Sequence, residues 1–217
     1  MSDAIDPRKY AAAVAEATRR KDRIERLEGE LADRDKRIKD LESAASKFDG
    51  ALAAVTERVR LATLVTGNTY RNPVILAKSV TTLDIVSGGR AQLGIGSGWF
   101  ELEHQSLGYP FGTFTERFEK LEESLQIILP MLRGEQVTFA GKYYQVNDAV
   151  NSPAPLSRIP LMIGGSGEKK TLRMVAQYAD ESNLSSGAAS DIPRKLEALA
   201  EHCERLGRDR SEIKVTK

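Results

Sequence analysis

Two apolar runs in this sequence open into clusters of glycine, Leu93-Gly-Ile-Gly-Ser-Gly98 and Leu161-Met-Ile-Gly-Gly-Ser-Gly167. Each reads as a buried strand giving way to a loop. Glycine at such a point lets the backbone turn with positive φ or come close to a ligand, because no Cβ intervenes. Two edges of this kind in one chain point to a cofactor-sized site at the carboxyl ends of parallel strands.

The surrounding sequence supplies strand–helix–strand spacing. Arg58–Val65 reads as a short buried strand, and Thr66-Gly67-Asn68 as a polar turn after it. Asn72-Pro73 starts a helix, since proline at its first position sacrifices no intrahelical bond. Ala77, Val80 and Leu83 recur with helical spacing, Ser87-Gly88-Gly89 stops the helix, and Ala91–Ile95 is the next strand. Short connections of this type are the signature of a parallel sheet, so the fold class is α/β. Phe114, Phe118, Leu121, Leu125 and Ile128 trace one face of a helix ending near Pro130, and Val137–Phe139 with Tyr143–Val146 form a hairpin around Ala140-Gly141-Lys142. Pro153, Pro155 and Pro160 mark an irregular lead-in to a strand at Leu161–Ile163. A helix at Glu168–Tyr178, a strand in Ala179–Leu184, a helix at Pro193–Leu206 and a strand from Ile213 to Val215 complete the reading.

Composition narrows the class. The 217 residues carry 32 Lys plus Arg against 31 Asp plus Glu, and this balance gives no electrostatic case for nucleic acid or an acidic membrane. Cys203 is the single cysteine, so there is no intrachain disulfide and no cysteine cluster for zinc or iron–sulfur; it reads as a packed thiol. No signal peptide and no membrane-spanning window are evident, and a cytoplasmic protein is expected. Residues 10–48 differ in texture, and a boundary falls between residues 1–49 and 50–217. Ile24, Leu27, Leu31, Ile38 and Leu41 occupy a and d positions of one heptad frame, which Ala17, Ala45 and Phe48 extend. Arg20 and Arg34 at d positions interrupt it. The segment reads either as an oligomerising coiled coil or as a solvated helix lying on its own domain.

The chemistry gathers at the glycine edges. Gly164-Gly165-Ser166-Gly167 offers peptide N–H groups, a hydroxyl and a helix start, which suit a phosphate, with Lys169 and Lys170 adding positive charge. A plain strand–helix turn needing two glycines is the other reading. Gly94, Gly96, Ser97 and Gly98 would let a flat ring lie against backbone, with Trp99 as either an aromatic wall or a packing residue. Glu101, Glu103 and His104 form an acid–base group or a solvent-facing loop, with His104 the candidate proton carrier. His202 reads as structural or exposed, and no metal-binding spacing is present.

These strand ends resemble the luciferase-like monooxygenase family, particularly its coenzyme F420-dependent oxidoreductases. The likeness runs from about Ala51 to Lys217 and includes TERVRLATLVTGNTYRNPVILAKSVTTLDIVSGGRAQLGIGSGWFELEH, the RFEKLEESLQIILPMLRGE helix, GKYY and PLMIGGSGEKKTLRMVAQYADESN. The resemblance implies a (β/α)8 TIM barrel that binds F420, or alternatively FMN, at its C-terminal face. It implies that Val65, Thr66 and Gly67 border the ring, that Gly96, Ser97 and Trp99 lie near the ring and its side chain, and that Gly164, Gly165, Ser166 and Gly167 hold the cofactor phosphate. Hydride transfer to or from a small organic substrate, or oxygen activation by reduced flavin, would follow. About five barrel strands are accounted for, so a partial barrel is expected, with the heptad helix in place of the family's first strands and the chain ending near the seventh. Its open edge, or residues 10–48, would then serve a homo-oligomer. A catalytically inactive module for oligomerisation or cofactor binding is the second reading.

Overall fold

A computed structural model describes residue 16 and residues 18–30, 32–33, 50–185 and 187–217. The chain divides into two compact units, Met1–Lys47 and Phe48–Lys217. In the first, residues 18–30 are helical and exposed, with Ile24 and Leu27 facing solvent. Spaced ion pairs such as Arg20–Glu16 and Lys21–Glu25 run along this helix. Most of the expected coiled-coil frame, including Leu31, Ile38, Leu41, Ala45 and Phe48, lies outside the described residues. Among the described residues, no helix is long and apolar enough to cross a membrane.

The second unit is built on a parallel sheet. Its strands are β1 (Leu61–Ala62), β2 (Thr66–Gly67), β3 (Ala91–Gly96), β6 (Leu161–Gly164), β7 (Glu181–Asn183) and β8 (Lys214–Thr216), and β4 (Val137–Ala140) and β5 (Gln145–Ala149) form a separate antiparallel hairpin. The helices are α1 (Pro73–Val86), α2 (Glu101–Leu107), α3 (Phe114–Leu132), α4 (Thr171–Tyr178) and α5 (Ile192–Arg205). The sheet order is β1-β3-β6-β7-β8, and β2 pairs with β3 beyond β1. Leu61 stands opposite Ala91, while Thr66 stands opposite Ile95.

The expected strand over Arg58–Val65 and the turn at Thr66-Gly67-Asn68 are therefore corrected. Pairing covers only Leu61–Ala62, lapses over residues 63–65, and resumes at Thr66–Gly67; the following turn is a 3-10 helix at Asn68–Tyr70. The Leu64–Val65 peptide is cis. Within the gap Thr63 comes down onto β3, its Oγ1 donating to the Gly94 carbonyl at 2.8 Å. A Cβ on Gly94 would stand 1.9 Å from the Thr63 carbonyl oxygen, so only glycine permits this approach.

Helix ends follow local chemistry. Asn72 Oδ1 accepts from the Val74 and Ile75 amides, with Pro73 next in line. Thr113 and Glu116 close a capping box on α3. That helix runs through Pro130 to Leu132, two residues past the expected stop, because proline in the last turn removes one bond without ending the coil; Gly134, at φ 77°, ends it. The helix expected over Glu168–Tyr178 starts later, at Thr171, so Lys169 and Lys170 lie in the preceding turn.

One face of the sheet holds the core. Leu93, Ile95, Leu161 and Ile163 pack with Leu121, Leu125, Ile128, Leu172, Met174 and Leu199. Gln92 and Met162 alternate with the core residues and stay outside that cluster. Carboxylates pin the connections, one buried and one half-buried. Asp84 on α1 accepts from the Leu156 and Ser157 amides and from Ser157 Oγ at 2.8–3.0 Å. Glu123 on α3 receives three consecutive amides, Lys142 to Tyr144, at 2.7–3.0 Å and fixes the hairpin turn. Arg90 donates to Ser87, Ala53, Thr56 and Val59, tying helical residues 50–55 to the loop before β3. Cys203 is buried and burial pushes its thiol up, as a packed thiol requires.

Gly94→Ala is expected to lower stability by about 3 kcal/mol or to prevent folding, because neither backbone can retreat. Gly50→Ala, with open space around it, should leave stability within about 0.5 kcal/mol of the parent. Urea unfolding of the two variants makes the comparison.

Candidate functional site

The carboxyl ends of β2, β3, β6 and β7 open into one cavity of about 1160 Å³. Val65, Thr66, Gly67, Gly96, Ser97, Trp99, Gly164, Gly165, Ser166 and Gly167 all line it. Register explains the convergence: Gly67 stands opposite Gly96, and Gly164 opposite Asn183, so these strands finish level.

The glycines do a different task from the one expected. A Cβ on Gly164 would lie 2.8 Å from Val65 Cγ2, and one on Gly96 3.2 Å from the same methyl. The space above both glycines is filled by Val65, which the strand gap carries across β3 onto β6. The surface at these strand ends is thus the Val65 side chain with neighbouring backbone, rather than a bare glycine floor. Gly98, at φ 80°, and Gly165, at φ 127°, are the lining residues that need glycine for their backbone conformation. Trp99 is 83% exposed and stacks on Phe100 at 5.2 Å, so it is a wall residue and not a packing one. Phe114, expected on the buried face of its helix, is 58% exposed and joins that wall.

His104 is the exception among the sequence candidates. It sits on α2 rather than on a loop, is fully buried, and does not line the cavity. Its ring contacts Thr69 Oγ1 at 2.6 Å, Tyr70 OH at 3.0 Å and the Phe100 carbonyl at 2.7 Å. Tyr70 and Glu103 do line the cavity, and the tyrosine hydroxyl donates to Glu103 Oε2 at 2.6 Å. Burial first, then the Glu103 hydrogen bond and charge, pushes the Tyr70 phenol well above its ordinary range.

Sequence reasoning missed two cations that shape the site. Arg117 is buried on α3; its Nε donates to the Gly98 carbonyl at 3.0 Å and its Nη1 to Gly112 at 2.9 Å, while its plane covers Phe111 at 3.7 Å. Burial draws its pKa down, with Glu101 opposing. Lys195 on α5, also buried, donates to the Ser166 carbonyl at 2.9 Å from beneath the glycine loop. Neither stands in a motif, and a charged residue on a predicted helix reads by default as a solvated one. His202 is structural: its Nε2 meets the Glu168 carbonyl at 2.8 Å.

The cavity is electrostatically divided. At the loop end stand Lys169, Lys195 bonded to the Ser166 carbonyl, the Glu168–Arg194 ion pair, and the first turn of α4, where the Gly167 carbonyl takes the Leu172 N–H. Toward α2 lie Leu64, Trp99 and Phe100 with the Tyr70–Glu103 pair. Arg117→Lys is expected to cost about 2 kcal/mol, since an ammonium cannot serve both carbonyls and lie flat on Phe111. Faster amide hydrogen exchange at Gly98 and Trp99 should accompany the loss measured by unfolding.

Comparison with known proteins gives the same picture. The family model described as luciferase-like monooxygenase matches residues 32–216. An F420-dependent glucose-6-phosphate dehydrogenase of Microbacterium testaceum (strain StLB037) is 35% identical over 167 residues, covering 76% of this chain and 49% of that protein. The chain thus spans about half the length of the curated relatives it matches. Among solved structures, the coenzyme F420-dependent tetrahydromethanopterin reductase of Methanopyrus kandleri superposes with a TM-score of 0.70 at 25% identity, over 78% of this chain and 52% of that one. A monooxygenase from Streptomyces bottropensis, 19% identical with a TM-score of 0.67 over 78% of this chain and 53% of its own, shares the fold. The chain belongs to the luciferase-like monooxygenase family.

Proposed function

We propose that this chain binds coenzyme F420 at the carboxyl ends of its strands and serves hydride transfer between that cofactor and a small organic substrate. The observation that carries the reading is the divided cavity. A phosphate diester fits the loop end, where Gly165, Ser166 and Gly167 stand between Lys169 and the buried Lys195. A planar ring fits the apolar surface made by Val65 and Trp99 beside Gly67, Gly96 and Ser97. F420 is favoured over FMN because the relatives of 35% and 36% identity carry F420-dependent names.

When bound, the deazaflavin ring supplies a two-electron hydride acceptor or donor. The chain's own residues orient it. Val65 sets the height of the ring over Gly96 and Gly164, Arg117 holds the Gly98 turn in place, and Lys195 holds the glycine loop open to an anion. Aromatic groups on the α2 side keep water from that part of the cavity. The parallel sheet of residues 50–217 is read as part of a (β/α)8 barrel, with residues 1–49 as a separate helical segment.

Trp99 is the single tryptophan and lies in the cavity wall, so intrinsic fluorescence reports the site directly. Adding F420 should quench it to a one-to-one endpoint, with FMN weaker by about tenfold or more. Gly165→Asp should abolish the quenching, since it sets a carboxylate against the phosphate and strains a positive-φ position. Undiminished F420 binding by that variant would sink the phosphate assignment.

A further inference from the structure

The helix of residues 18–30 carries two apolar side chains, Ile24 and Leu27, and both are left to solvent, at 54% and 43% exposure. Three residues apart, they lie on one face. In sequence the same face continues at Leu31, Ile38 and Leu41, which lie outside the described residues. From Ala17 to Phe48 the frame runs for more than four heptads, long enough for a two-stranded coil. Ile24 and Ile38 stand at a, with Leu27 and Leu41 at d, the combination that favours two parallel strands. Gly29 falls at f, on the side away from that face.

The charges beside this face are sorted. Three ion pairs at four-residue spacing form within the helix: Arg20 with Glu16, Lys21 with Glu25, and Arg26 with Glu30. Arg23 and Glu28 make no ion pair among the described residues, and they occupy g and the e that follows five residues on. In a parallel pair of helices, g of one strand stands across from that e of the other, so Arg23 meets Glu28 of the second copy on both flanks of the seam. Arg37 and Glu42 repeat the spacing two heptads later in sequence. Between them Glu30 and Asp35 carry like charges, and Arg26 draws Glu30 back along its own helix. Arg20, at d, donates to Glu16 at 2.6 Å, so its charged end leaves along the helix surface.

We infer that the helix carrying Ile24 and Leu27 pairs in parallel, and in register, with the same helix of a second copy of this chain. Ile24 and Leu27 then pack against their own counterparts across a two-fold axis, and the Arg23–Glu28 pairs close the seam. An isolated helix of this length is marginal in water, and a second strand supplies the packing that stabilises it. None of these residues lines the strand-end cavity, so the association is separable from cofactor binding.

The test uses the full chain in sedimentation equilibrium, with no cofactor added. The expected mass is about twice the 23.9 kDa of one chain. Ile24→Asp combined with Leu27→Asp should weaken the dimer by about 100-fold or more. Both positions are exposed in a single chain, so urea unfolding of residues 50–217 should not change. Arg23→Glu and Glu28→Arg should each weaken the dimer by about tenfold. Combined, they should restore it to within about threefold of the parent, since the pair re-forms with its signs exchanged. Leu27→Cys should give an interchain disulfide on mild oxidation, whereas the parent, with Cys203 buried, should give none. An antiparallel pairing of the heptad frame separates the two introduced thiols. A single-chain mass across the concentration range, or a mass of three chains or more, would overturn the inference. So would a dimer indifferent to Ile24→Asp with Leu27→Asp, charge exchange without recovery, or absence of the Leu27→Cys disulfide.

Discussion

The site depends on the descent of residues 63–65 onto the neighbouring strand. Strand pairing stops at Ala62 and resumes at Thr66. In between, the Thr63 backbone occupies the place of a Gly94 side chain, and Val65 occupies the places of side chains at Gly96 and Gly164. Three glycines on two strands thus answer one feature of a third. Pairing continued from Leu61 and Ala62 would set Val65 opposite Ile95 and Thr66 opposite Gly96; the descent shifts the register by one residue, to Thr66 and Gly67, and gives the cavity the wall that Val65 provides.

The loops above the sheet are held by two cations that make no ion pair among the described residues. Arg117 spends its donors on two backbone carbonyls, and Lys195 spends one on a third. A buried cation satisfied by carbonyls keeps its net charge, whereas one paired with a carboxylate does not. Both loops therefore combine rigid anchoring with a positive field, and the Lys195 field acts under the glycine loop. Of the two carboxylates that line the cavity, Glu168 pairs with Arg194 and Glu103 is held by Tyr70.

Much of the architecture was legible because periodicity and caps are local. Asn72-Pro73, Thr113 with Glu116, and the apolar face from Phe118 to Ile128 announce their helices directly. The glycine-ended runs announce strands and a site. What stayed hidden was every feature made by contact across the fold. The pairing gap at residues 63–65 is invisible in a continuous apolar run, since Leu64 and Val65 carry the same letters in a strand or out of one. The lateness of α4 is hidden for a related reason: Glu168, Lys169 and Lys170 are good helix formers that the glycine loop uses as a turn.

His104 shows how neighbours in sequence part company in the fold. Glu101, Glu103 and His104 were read as one polar cluster, and histidine is the usual proton carrier in such a group. Placed on α2, however, side chains one residue apart point in directions about 100° apart, so adjacent letters cannot share an environment. Glu103 turns to the cavity and His104 turns inward, against Thr69, Tyr70 and Phe111. The histidine then touches the cavity wall through the Phe100 carbonyl and through Tyr70, and the second contact exists because the 3-10 turn at Asn68–Tyr70 packs beside α2. A site of this kind is read from the helix and the turn together, since either one alone leaves the carboxylate without its support.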